Sequence, residues 1–448
     1  MGRLFGTDGV RGIAGTELTA DLATRLGRAA VAVLGRHGTE RPVIVVGRDP
    51  RESGEWLEDA LTEGIRRAGG DVWLAGVEPT PAIAYMTVDL GASAGVVISA
   101  SHNPAPDNGI KFFSREGMKL PDALEDEIEA VLAEPAVDAP EPDHGRILPF
   151  ADARERYLEH VVGAALAPLA GMRVVVDCAN GSASAVAPEL LRRLGAEVTA
   201  IHADPDGTNI NDGCGALHPD VVAAEVVRLG ADAGVSHDGD ADRALFSDAD
   251  GKVIDGDQVL AACAVGLREA GELADDTVVA TVMSNIGFER AMTEHGIRVV
   301  RTKVGDRYVL EEMERGRFVL GGEQSGHVIF RRYATTGDGL LTAARFLSLA
   351  AARGASVGEL ASVMRRYPQV LLNVRVGDRD AVARSTAVAE AVRAAEARLG
   401  DAGRVLLRPS GTEPLVRVMV EADTERDARA HAESIAASVA AVEASPAR

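Results

Sequence analysis

The sequence predicts an α/β protein with three similar mixed-sheet α/β domains and a smaller C-terminal α+β domain. Apolar runs of strand length alternate with segments of helical periodicity, and this alternation begins again twice along the chain. At 448 residues the chain is also longer than one hydrophobic core usually serves. Together these observations predict several domains, in which each sheet is flanked by helices.

The first predicted domain covers residues 1–150. Its predicted strands are Pro42–Gly47, Asp71–Ala75 and Ala94–Ser99. Its predicted helices are Ser53–Ala68, which opens with a serine cap, and about Asp122–Ala133. The following stretch, Glu134–Pro149, is rich in Pro, Asp and Ala, which predicts a linker and the first domain boundary.

The alternation begins again in the predicted second and third domains, residues 151–254 and 255–367. The second has predicted strands at Met172–Asp177, Glu197–Ile201 and Ala233–Ser236, and helices at Ala183–Leu194 and Asp220–Leu229. The third has predicted strands at Thr277–Val282, Ile297–Thr302 and Arg317–Gly321, and helices at Asp257–Ala270, Gly287–His295 and Gly339–Ala352. The last segment, residues 368–448, differs, because the strands Gln369–Val376, Arg404–Leu407 and Leu415–Ala422 precede the long helix Thr424–Val442.

Composition and charge exclude several classes of protein. The net charge of −21 and a pI near 5.0 argue against general nucleic-acid binding, which needs a basic surface. No apolar run reaches the roughly 18 residues of a membrane span, and the N-terminal residues lack the apolar region of a signal peptide. The three cysteines form no C-x-x-C pair, which favours a reducing compartment. We therefore expect a cytoplasmic protein with neither nucleic acid nor membrane as partner.

Three alternating aspartates, Asp238, Asp240 and Asp242, directly follow a predicted strand. Alternate carboxylates in a turning loop can converge on one hard cation, and Mg²⁺ prefers such oxygen ligands. A calcium loop of the EF-hand kind is excluded, because its sixth and twelfth positions would be Arg243 and Ala249 instead of Gly and Glu. The aspartates alone predict either a magnesium site or a solvated acidic loop.

Ser101 follows the predicted strand Ala94–Ser99, and the carboxyl ends of such strands are where open α/β sheets place their sites. The dipeptide Asn103-Pro104 predicts a turn, which would leave Ser101 as an exposed hydroxyl beside His102. Lys111 comes ten residues later, close enough in the chain to return to the same cleft. A cation there would favour the charged form of a phosphate.

Two further loops carry polar groups between strand-like segments. Gly321–His327 offers Glu323, Gln324, Ser325 and His327 as hydrogen-bond partners suited to sugar hydroxyls, with glycines that permit close approach. The second loop combines arginine forks, hydroxyls and backbone N–H groups, which is typical of a phosphate cradle. Its candidate residues are Arg408, Ser410, Gly411, Thr412 and Arg417.

These four segments in this order resemble the α-D-phosphohexomutase superfamily, and most closely its bacterial phosphoglucosamine mutases. The N-terminal segment Gly6–Gly12 matches the opening of that family, and the resemblance extends from Leu4 to about Glu421. It implies four domains around a central cleft, each of which contributes one loop. The four loops would carry the phosphoserine, the metal, the sugar-recognition groups and the phosphate-binding groups.

The resemblance implies a role for each candidate residue. Ser101 would be phosphorylated and would bind one Mg²⁺ per active site together with Asp238, Asp240 and Asp242, while Arg243 would contribute to substrate binding beside them. Glu323, Gln324 and Ser325 would recognise the sugar. The phosphate that is not transferred would bind Arg408, Ser410, Gly411, Thr412 and Arg417. Proton transfer and charge stabilisation would fall to Arg11, Lys111 and His327, with the identity of the general base left open among these three, and His102 would orient Ser101.

The implied activity is the interconversion of glucosamine 6-phosphate and glucosamine 1-phosphate, which supplies UDP-N-acetylglucosamine for cell-wall synthesis. A hexose 1,6-bisphosphate would be the activating intermediate, the partner would be a small sugar phosphate, and related enzymes are often homodimers. Gln324 favours this activity over a phosphomannomutase or phosphoglucomutase, which often carry Met or Thr at that position. A phosphatase and a non-catalytic sugar-phosphate sensor are further alternatives, and intact Ser101 and Lys111 speak against the sensor.

Overall fold

The structure, a computed structural model, describes residues 4–6, 8–37, 39, 41–134, 140, 143–410 and 413–443. The described residues separate into two compact units. The first runs to Met283 and includes Gly296–Val363, and the second comprises Ser284–His295 and the chain from Met364 onward. Three sheets belong to the first unit and one to the second.

The first sheet and its helices form from the N-terminal third of the chain. The elements are β1 (Val10–Ile13), α1 (Ala20–Arg36), β2 (Val43–Arg48), α2 (Glu52–Arg67), β3 (Asp71–Val77), α3 (Thr80–Asp89), β4 (Ala94–Ile98), β5 (Asp107–Ser114), α4 (Asp122–Leu132) and β6 (Ile147–Pro149). The strand order is β1-β5-β4-β2-β3-β6, with β2 parallel to β4 and β5 antiparallel to β4. Every residue of β4 is buried, as expected for a strand with both faces covered.

The second sheet has five strands, and the acidic loop connects two of them. Its elements are α5 (Ala153–Gly163), β7 (Arg173–Asp177), α6 (Ala183–Arg193), β8 (Glu197–Ile201), α7 (Pro219–Leu229), β9 (Ala233–His237), β10 (Ala244–Asp248) and β11 (Val253–Ile254). The order is β11-β10-β9-β7-β8. Because β10 returns antiparallel to β9, the residues between them form a tight connection at one edge of the sheet.

The third sheet has four strands in the order β13-β12-β14-β15. The elements are α8 (Gly256–Glu269), β12 (Thr277–Thr281), α9 (Ile286–Glu294), β13 (Arg298–Thr302), α10 (Asp306–Gly316), β14 (Leu320–Gly322), β15 (Val328–Phe330), α11 (Gly339–Arg353) and α12 (Val357–Ala361). A capping box fixes the start of α8, because Asp255 and Gln258 satisfy each other's backbone N–H groups.

The second unit contains a three-stranded antiparallel sheet in the order β16-β18-β17. Its elements are β16 (Gln369–Arg375), α13 (Arg379–Ala383), α14 (Thr386–Leu399), β17 (Arg404–Pro409), β18 (Leu415–Glu421) and α15 (Glu425–Glu443). Helix α9 joins this unit, since the fully buried carboxylate of Glu421 accepts the N–H of Ile286 at 2.9 Å and also binds Arg404.

The predicted fold class is confirmed, but several local predictions are wrong. Ser53 does not cap α2: the helix begins one residue earlier, and Ser53 Oγ instead accepts a hydrogen bond from Asn108 Nδ2 at 2.8 Å. The end of the predicted linker, Ile147–Pro149, is strand β6, parallel to β3. The strand predicted from Arg317 begins at Leu320, because Arg317 ends α10 in a left-handed conformation.

Other elements escaped prediction altogether, among them α1, α3, α10, α14 and β5. Helix α3 is buried on most sides and has little amphipathic contrast, so the helical period is weak there. Strand β5 opens with Asp-Asn-Gly, which is typical of turns and not of strands. The division into four domains with the boundaries given above stays a prediction. In the described part of the chain, no helix combines the length and the apolar character that a membrane span requires.

Candidate active site

Ser101 lies in the turn between β4 and β5, with a left-handed backbone (φ 52°). Its hydroxyl donates to Asp238 Oδ2 at 2.8 Å and lies 3.2 Å from His102 Nδ1. Ser101 is only 2% exposed, so the expectation of an exposed hydroxyl is wrong. The acidic loop of the second sheet covers it, a contact across 137 residues of chain that local sequence does not indicate.

A buried arginine holds this turn in its conformation. Arg51 is fully buried, and its guanidinium donates to four backbone carbonyls of the turn, those of Ser101, Asn103, Pro104 and Asp107. Its Nε donates to Asp49 Oδ2 at 2.9 Å. Sequence reasoning missed both residues, although two charged side chains directly after the buried strand β2 were a usable signal. The hydrogen bonds of Arg51 to the turn, with Asp49 holding Arg51, offset the unfavourable left-handed conformation of Ser101.

Asp238, Asp240 and Asp242 lie together in the connection from β9 to β10. They are 1%, 1% and 8% exposed, and their oxygens lie within 4.8 Å of one another. Burial and the charges of the other two carboxylates raise the pKa of Asp238 well above its usual range. Three buried acids at this spacing are unfavourable unless cations neutralise them.

The three aspartates fit a hard divalent cation. Oδ1 of Asp240 and Oδ1 of Asp242 are buried and make no hydrogen bond within the described part of the chain. All the donor atoms are carboxylate oxygens, which is the ligand set of Mg²⁺ or Ca²⁺ rather than of a softer metal. These aspartates could therefore hold a metal ion.

Lys111 supplies positive charge from the first sheet. Strand β5 places its Nζ 2.6 Å from Asp240 Oδ2, with both side chains buried. Thr80, at the start of α3, donates its hydroxyl to the same oxygen at 2.8 Å and its backbone N–H to the carbonyl of Asp240. Sequence reasoning predicted Lys111 and missed Thr80, whose segment was not recognised as a helix.

Arg243 and His102 lie against the aspartates. Arg243 Nε is 3.7 Å from Asp242 Oδ1 and 3.9 Å from Asp238 Oδ2, and it makes no hydrogen bond among the described residues. Burial, followed by the charges of Arg243 and Arg11, lowers the pKa of His102 to about 4. His102 is therefore a neutral imidazole at physiological pH.

His327 approaches the aspartates from the third sheet. Its Nδ1 lies 3.4 Å from Asp242 Oδ2, and its Nε2 accepts the N–H of Gly337 at 3.0 Å. Burial lowers its pKa, but Asp242 and Asp306 outweigh burial and raise the pKa to about 9. With this pKa the imidazole is mainly protonated at physiological pH, and the proton on Nε2 competes with the N–H of Gly337 for that nitrogen.

A second charged group connects the N-terminal loop to the third sheet. Arg11 donates to Asp8 Oδ2 at 3.3 Å, and Lys119 binds both Asp8 and Asp306, the latter at 2.5 Å. Arg11 Nε is buried without a hydrogen-bond partner among the described residues, so it is available to a ligand. Lys119 and Asp306 were missed, and together with His327 they line a cavity of about 290 Å³.

The predicted sugar-recognition loop is a tight turn after β14. Glu323 accepts the N–H of Gly305 at 3.0 Å, and Ser325 Oγ is buried without a hydrogen-bond partner in the described chain. Gly326 has φ +93°, and a Cβ there would lie 2.5 Å from the carbonyl oxygen of Ala244. The Gln324 side chain points to the cap of α8 and lies 3.5 Å from Asp255 Oδ2.

The arginine loop belongs to the second unit. Arg408 and Arg417 are directly opposite each other on β17 and β18. Burial and the charge of Arg417 lower the pKa of Arg408, and Arg417 Nε is buried without a hydrogen-bond partner in the described part. Ser410 is buried and accepts the N–H of Glu413 at 3.2 Å. Gly411 and Thr412 lie outside the described residues.

The first unit thus brings most predicted residues into one network, while three others lie in the second unit. The network residues are Ser101, His102, Lys111, Asp238, Asp240, Asp242, Arg243 and His327, with Arg11 reached through Asp8, Lys119 and Asp306. A buried, charge-balanced site with a serine hydroxyl and a cation site suits the transfer of an anionic group.

Comparison with protein families gives four matches in chain order. Models of phosphoglucomutase/phosphomannomutase match residues 2–137 (alpha/beta/alpha domain I), 155–251 (domain II), 255–367 (domain III) and 371–438 (C-terminal domain). Curated relatives match over the full length. The phosphoglucosamine mutase of Frankia alni is 56% identical over 456 residues and covers 100% of both chains. That of Thermobifida fusca is 56% identical over 438 residues, which is 97% of this chain and 98% of the relative.

Solved structures share the fold. A phosphoglucomutase/phosphomannomutase family protein from Burkholderia thailandensis has a TM-score of 0.82 at 26% identity, covering 99% of this chain and 98% of its own. The N-acetylphosphoglucosamine mutase of Aspergillus fumigatus, solved in complex with GlcNAc-6P and magnesium, has a TM-score of 0.69 at 19% identity. It covers 98% of this chain and 96% of its own, and it supports the fold alone.

Proposed function

This chain belongs to the phosphoglucomutase/phosphomannomutase family, and we propose that it interconverts glucosamine 6-phosphate and glucosamine 1-phosphate through a phosphoserine at Ser101. The observation that carries the proposal is the contact of Ser101 Oγ with Asp238 Oδ2 at 2.8 Å. This contact supports the proposal, because the hydroxyl lies beside a carboxylate of the predicted cation site, and phosphoryl transfer needs its charge neutralised.

The active form carries a phosphoryl group on Ser101. Asp238, Asp240 and Asp242 hold Mg²⁺, which supplies charge neutralisation to the phosphoryl oxygens when it is bound. Lys111 and Arg243 add fixed positive charge beside the same carboxylates. The phosphoryl group therefore meets cations on several sides without a large rearrangement of the protein.

The first transfer breaks the P–O bond to Ser101 and forms a P–O bond to the 1-hydroxyl of glucosamine 6-phosphate. The hydroxyl proton leaves to a general base, and Ser101 Oγ takes up a proton. Arg11 and Lys111 are held as cations in ion pairs, so their contribution is charge stabilisation. The neutral His102, 3.2 Å from Ser101 Oγ, is positioned to exchange the proton at the serine.

The product of this step is glucosamine 1,6-bisphosphate. It must bind again with its 6-phosphate toward Ser101, so that this phosphate returns to the serine and glucosamine 1-phosphate is released. The phosphate that is not being transferred binds Arg408, Ser410 and Arg417, because two opposed guanidinium groups favour an anion between them. A structural neighbour from Aspergillus fumigatus, solved in complex with glucose 1,6-bisphosphate, is consistent with a bisphosphate intermediate.

Glucosamine is the sugar because the full-length relatives at 54–57% identity are phosphoglucosamine mutases. A phosphomannomutase or phosphoglucomutase with the same chemistry is not favoured. Glu323 and Ser325 bind the sugar hydroxyls, since the hydroxyl of Ser325 is buried without another partner in the described chain. The substrate is a small sugar phosphate.

The test is the intact mass of the purified protein, with peptide mapping, before and after incubation with glucosamine 6-phosphate and Mg²⁺. We expect a phosphate on the Ser101 peptide that substrate discharges, and loss of turnover in S101A, with S114A at the end of β5 as the matched control. Near-normal turnover in S101A would overturn the covalent scheme. A phosphorylated Ser101 that discharges to mannose phosphate but not to glucosamine phosphate would overturn only the substrate.

A further inference from the structure

Three side chains with different donor atoms meet at the carboxyl edge of the second sheet, in a group separate from Asp238, Asp240 and Asp242. Asp177 is the last residue of β7, His202 directly follows β8, and Cys214 precedes Gly215 in the next connection. One oxygen, one ring nitrogen and one sulfur from these residues all lie within 4.8 Å of one another. Three separate segments thus converge on one point.

The spacing of two of these atoms is that of ligands on one ion. His202 Nδ1 lies 3.2 Å from Asp177 Oδ1, yet this buried nitrogen makes no hydrogen bond within the described part of the chain. A tetrahedral ion with bonds of about 2.0 Å separates its nitrogen and oxygen ligands by about 3.3 Å. An ordinary histidine–carboxylate pair would instead place a hydrogen bond along this line.

The surroundings hold the carboxylate in place for such a role. Asp177 is fully buried, and its two oxygens accept the N–H groups of Ala179 and Gly215, each at 2.9 Å. Hydrogen bonds of this kind orient ligating carboxylates in metal sites. The His202 side chain is 35% exposed, which leaves a path for an ion to enter.

Cys214 distinguishes this group from the acidic one. Its side chain is buried, and its sulfur lies within 4.8 Å of the ligand atoms of Asp177 and His202. A bound divalent cation is the partner that would stabilise the thiolate next to that carboxylate. Sulfur, imidazole and carboxylate together suit zinc and disfavour magnesium.

We propose that Asp177, His202 and Cys214 form a second metal site that binds one zinc-like divalent cation, with the fourth position open to water. Support for this site does not depend on the proposed mutase activity or on its magnesium. The ion would join the ends of β7 and β8 to the loop that contains Asn211. Asn211 donates to the carbonyls of Ser101 and Asn103 at 2.9 and 3.1 Å. A bound ion would therefore stabilise the loop that contacts the Ser101 turn.

The test uses the full-length protein, stripped with a chelator and loaded with Co²⁺ or Zn²⁺ in the presence of excess Mg²⁺. The magnesium occupies the oxygen-only aspartates, and a cobalt–thiolate absorption in the near ultraviolet arises only where sulfur is a ligand. We expect this band, and about one zinc per chain by elemental analysis. In C214S and H202N the band should be absent, or the metal concentration at half-saturation should rise by more than about 10–100-fold. A rise of about 10–100-fold is what changes to residues around the ligands, rather than to the ligands themselves, produce.

C263S is the matched control, because Cys263 is a buried cysteine in α8 that is not part of the group. It should keep both the band and the bound zinc. H202N changes a partly exposed side chain, so it still tests the metal site if C214S fails to fold. Absence of the band in the wild-type protein overturns the proposal. Zinc binding that is equal in wild type, H202N and C214S overturns it as well.

Discussion

In the first unit, three buried carboxylates face Lys111 and Arg243. In the second unit, Arg408 and Arg417 face each other across two strands, with Glu413 bound to Arg417 at 3.1 Å. The first region contains opposite charges, which stabilise one another in the absence of ligand. The second opposes like charges, which Glu413 offsets in part, so that a bound anion would stabilise it further.

The difference suggests two kinds of contribution to one reaction. A charge-balanced site is preorganised, so it can stabilise a transferring phosphoryl group without first reorganising. An arginine pair whose charge is only partly offset by Glu413 gains further stabilisation from an anionic ligand, which makes it suited to binding. We therefore expect changes in the first region to alter the chemical step and the stability of the fold, and changes in the second to alter substrate affinity.

The largest expected effect is that of D240N. It removes a ligand from the predicted cation site and the partner of Lys111, so kcat should fall by about 10³-fold and the Mg²⁺ concentration for half-maximal activity should rise. Activity measured across a magnesium titration checks this. D250N, an exposed aspartate in the turn after β10, is the control. If D240N lost activity with an unchanged magnesium dependence, the metal role of Asp240 would be contradicted.

The next effect concerns stability. K111M leaves the buried Asp240 without this ion pair, and Thr80 remains as its side-chain hydrogen-bond partner among the described residues. In magnesium-free buffer the free energy of unfolding should fall by about 3 kcal/mol. Chemical denaturation of the first unit measures it, with R228A on the exposed face of α7 as the control. A variant as stable as the wild type would contradict a stabilising role of the ion pair between Lys111 and Asp240.

R417A should lower substrate affinity without lowering stability, in contrast to K111M. Removing one of two opposed guanidinium groups relieves repulsion, so the melting temperature should not fall, while kcat/KM should fall by about 10²-fold, chiefly through KM. Steady-state kinetics with R429A, on the exposed face of α15, as control separates the two constants. A fall in kcat with KM unchanged would place Arg417 in the chemical step and remove the contrast between the regions.

The smallest effect is a pH dependence of the first unit. Burial lowers the pKa of His237 to about 4. Because the unfolded chain then binds more protons than the folded one between about pH 4 and 6.5, stability is lost as pH falls through this range. At pH 5 this contribution is about 2 kcal/mol. Between pH 7 and pH 5 the free energy of unfolding of the wild type should fall by that amount more than that of H237Q. An equal fall in the two proteins, measured by chemical denaturation, would refute the prediction.

Much of this molecule follows from local sequence. Strands such as β4 and β9 are buried along their whole length, and the candidate residues that the sequence predicts follow them. Ser101, the three aspartates and Lys111 were all found by their positions after strands or near a turn. In the structure Ser101 contacts Asp238 and Lys111 contacts Asp240, while the roles of these residues stay predictions.

Only the tertiary structure decided how these residues are covered and supported. Ser101 is buried because Asp238 comes from another sheet, Arg51 is held by four carbonyls of the Ser101 turn, and Thr80 meets Asp240 across 160 residues. Local periodicity does not encode such contacts, since they depend on how the sheets pack. The sequence determined which chemical groups are available at the strand ends. Packing determined their burial, and burial is what sets the charges and pKa values of those groups.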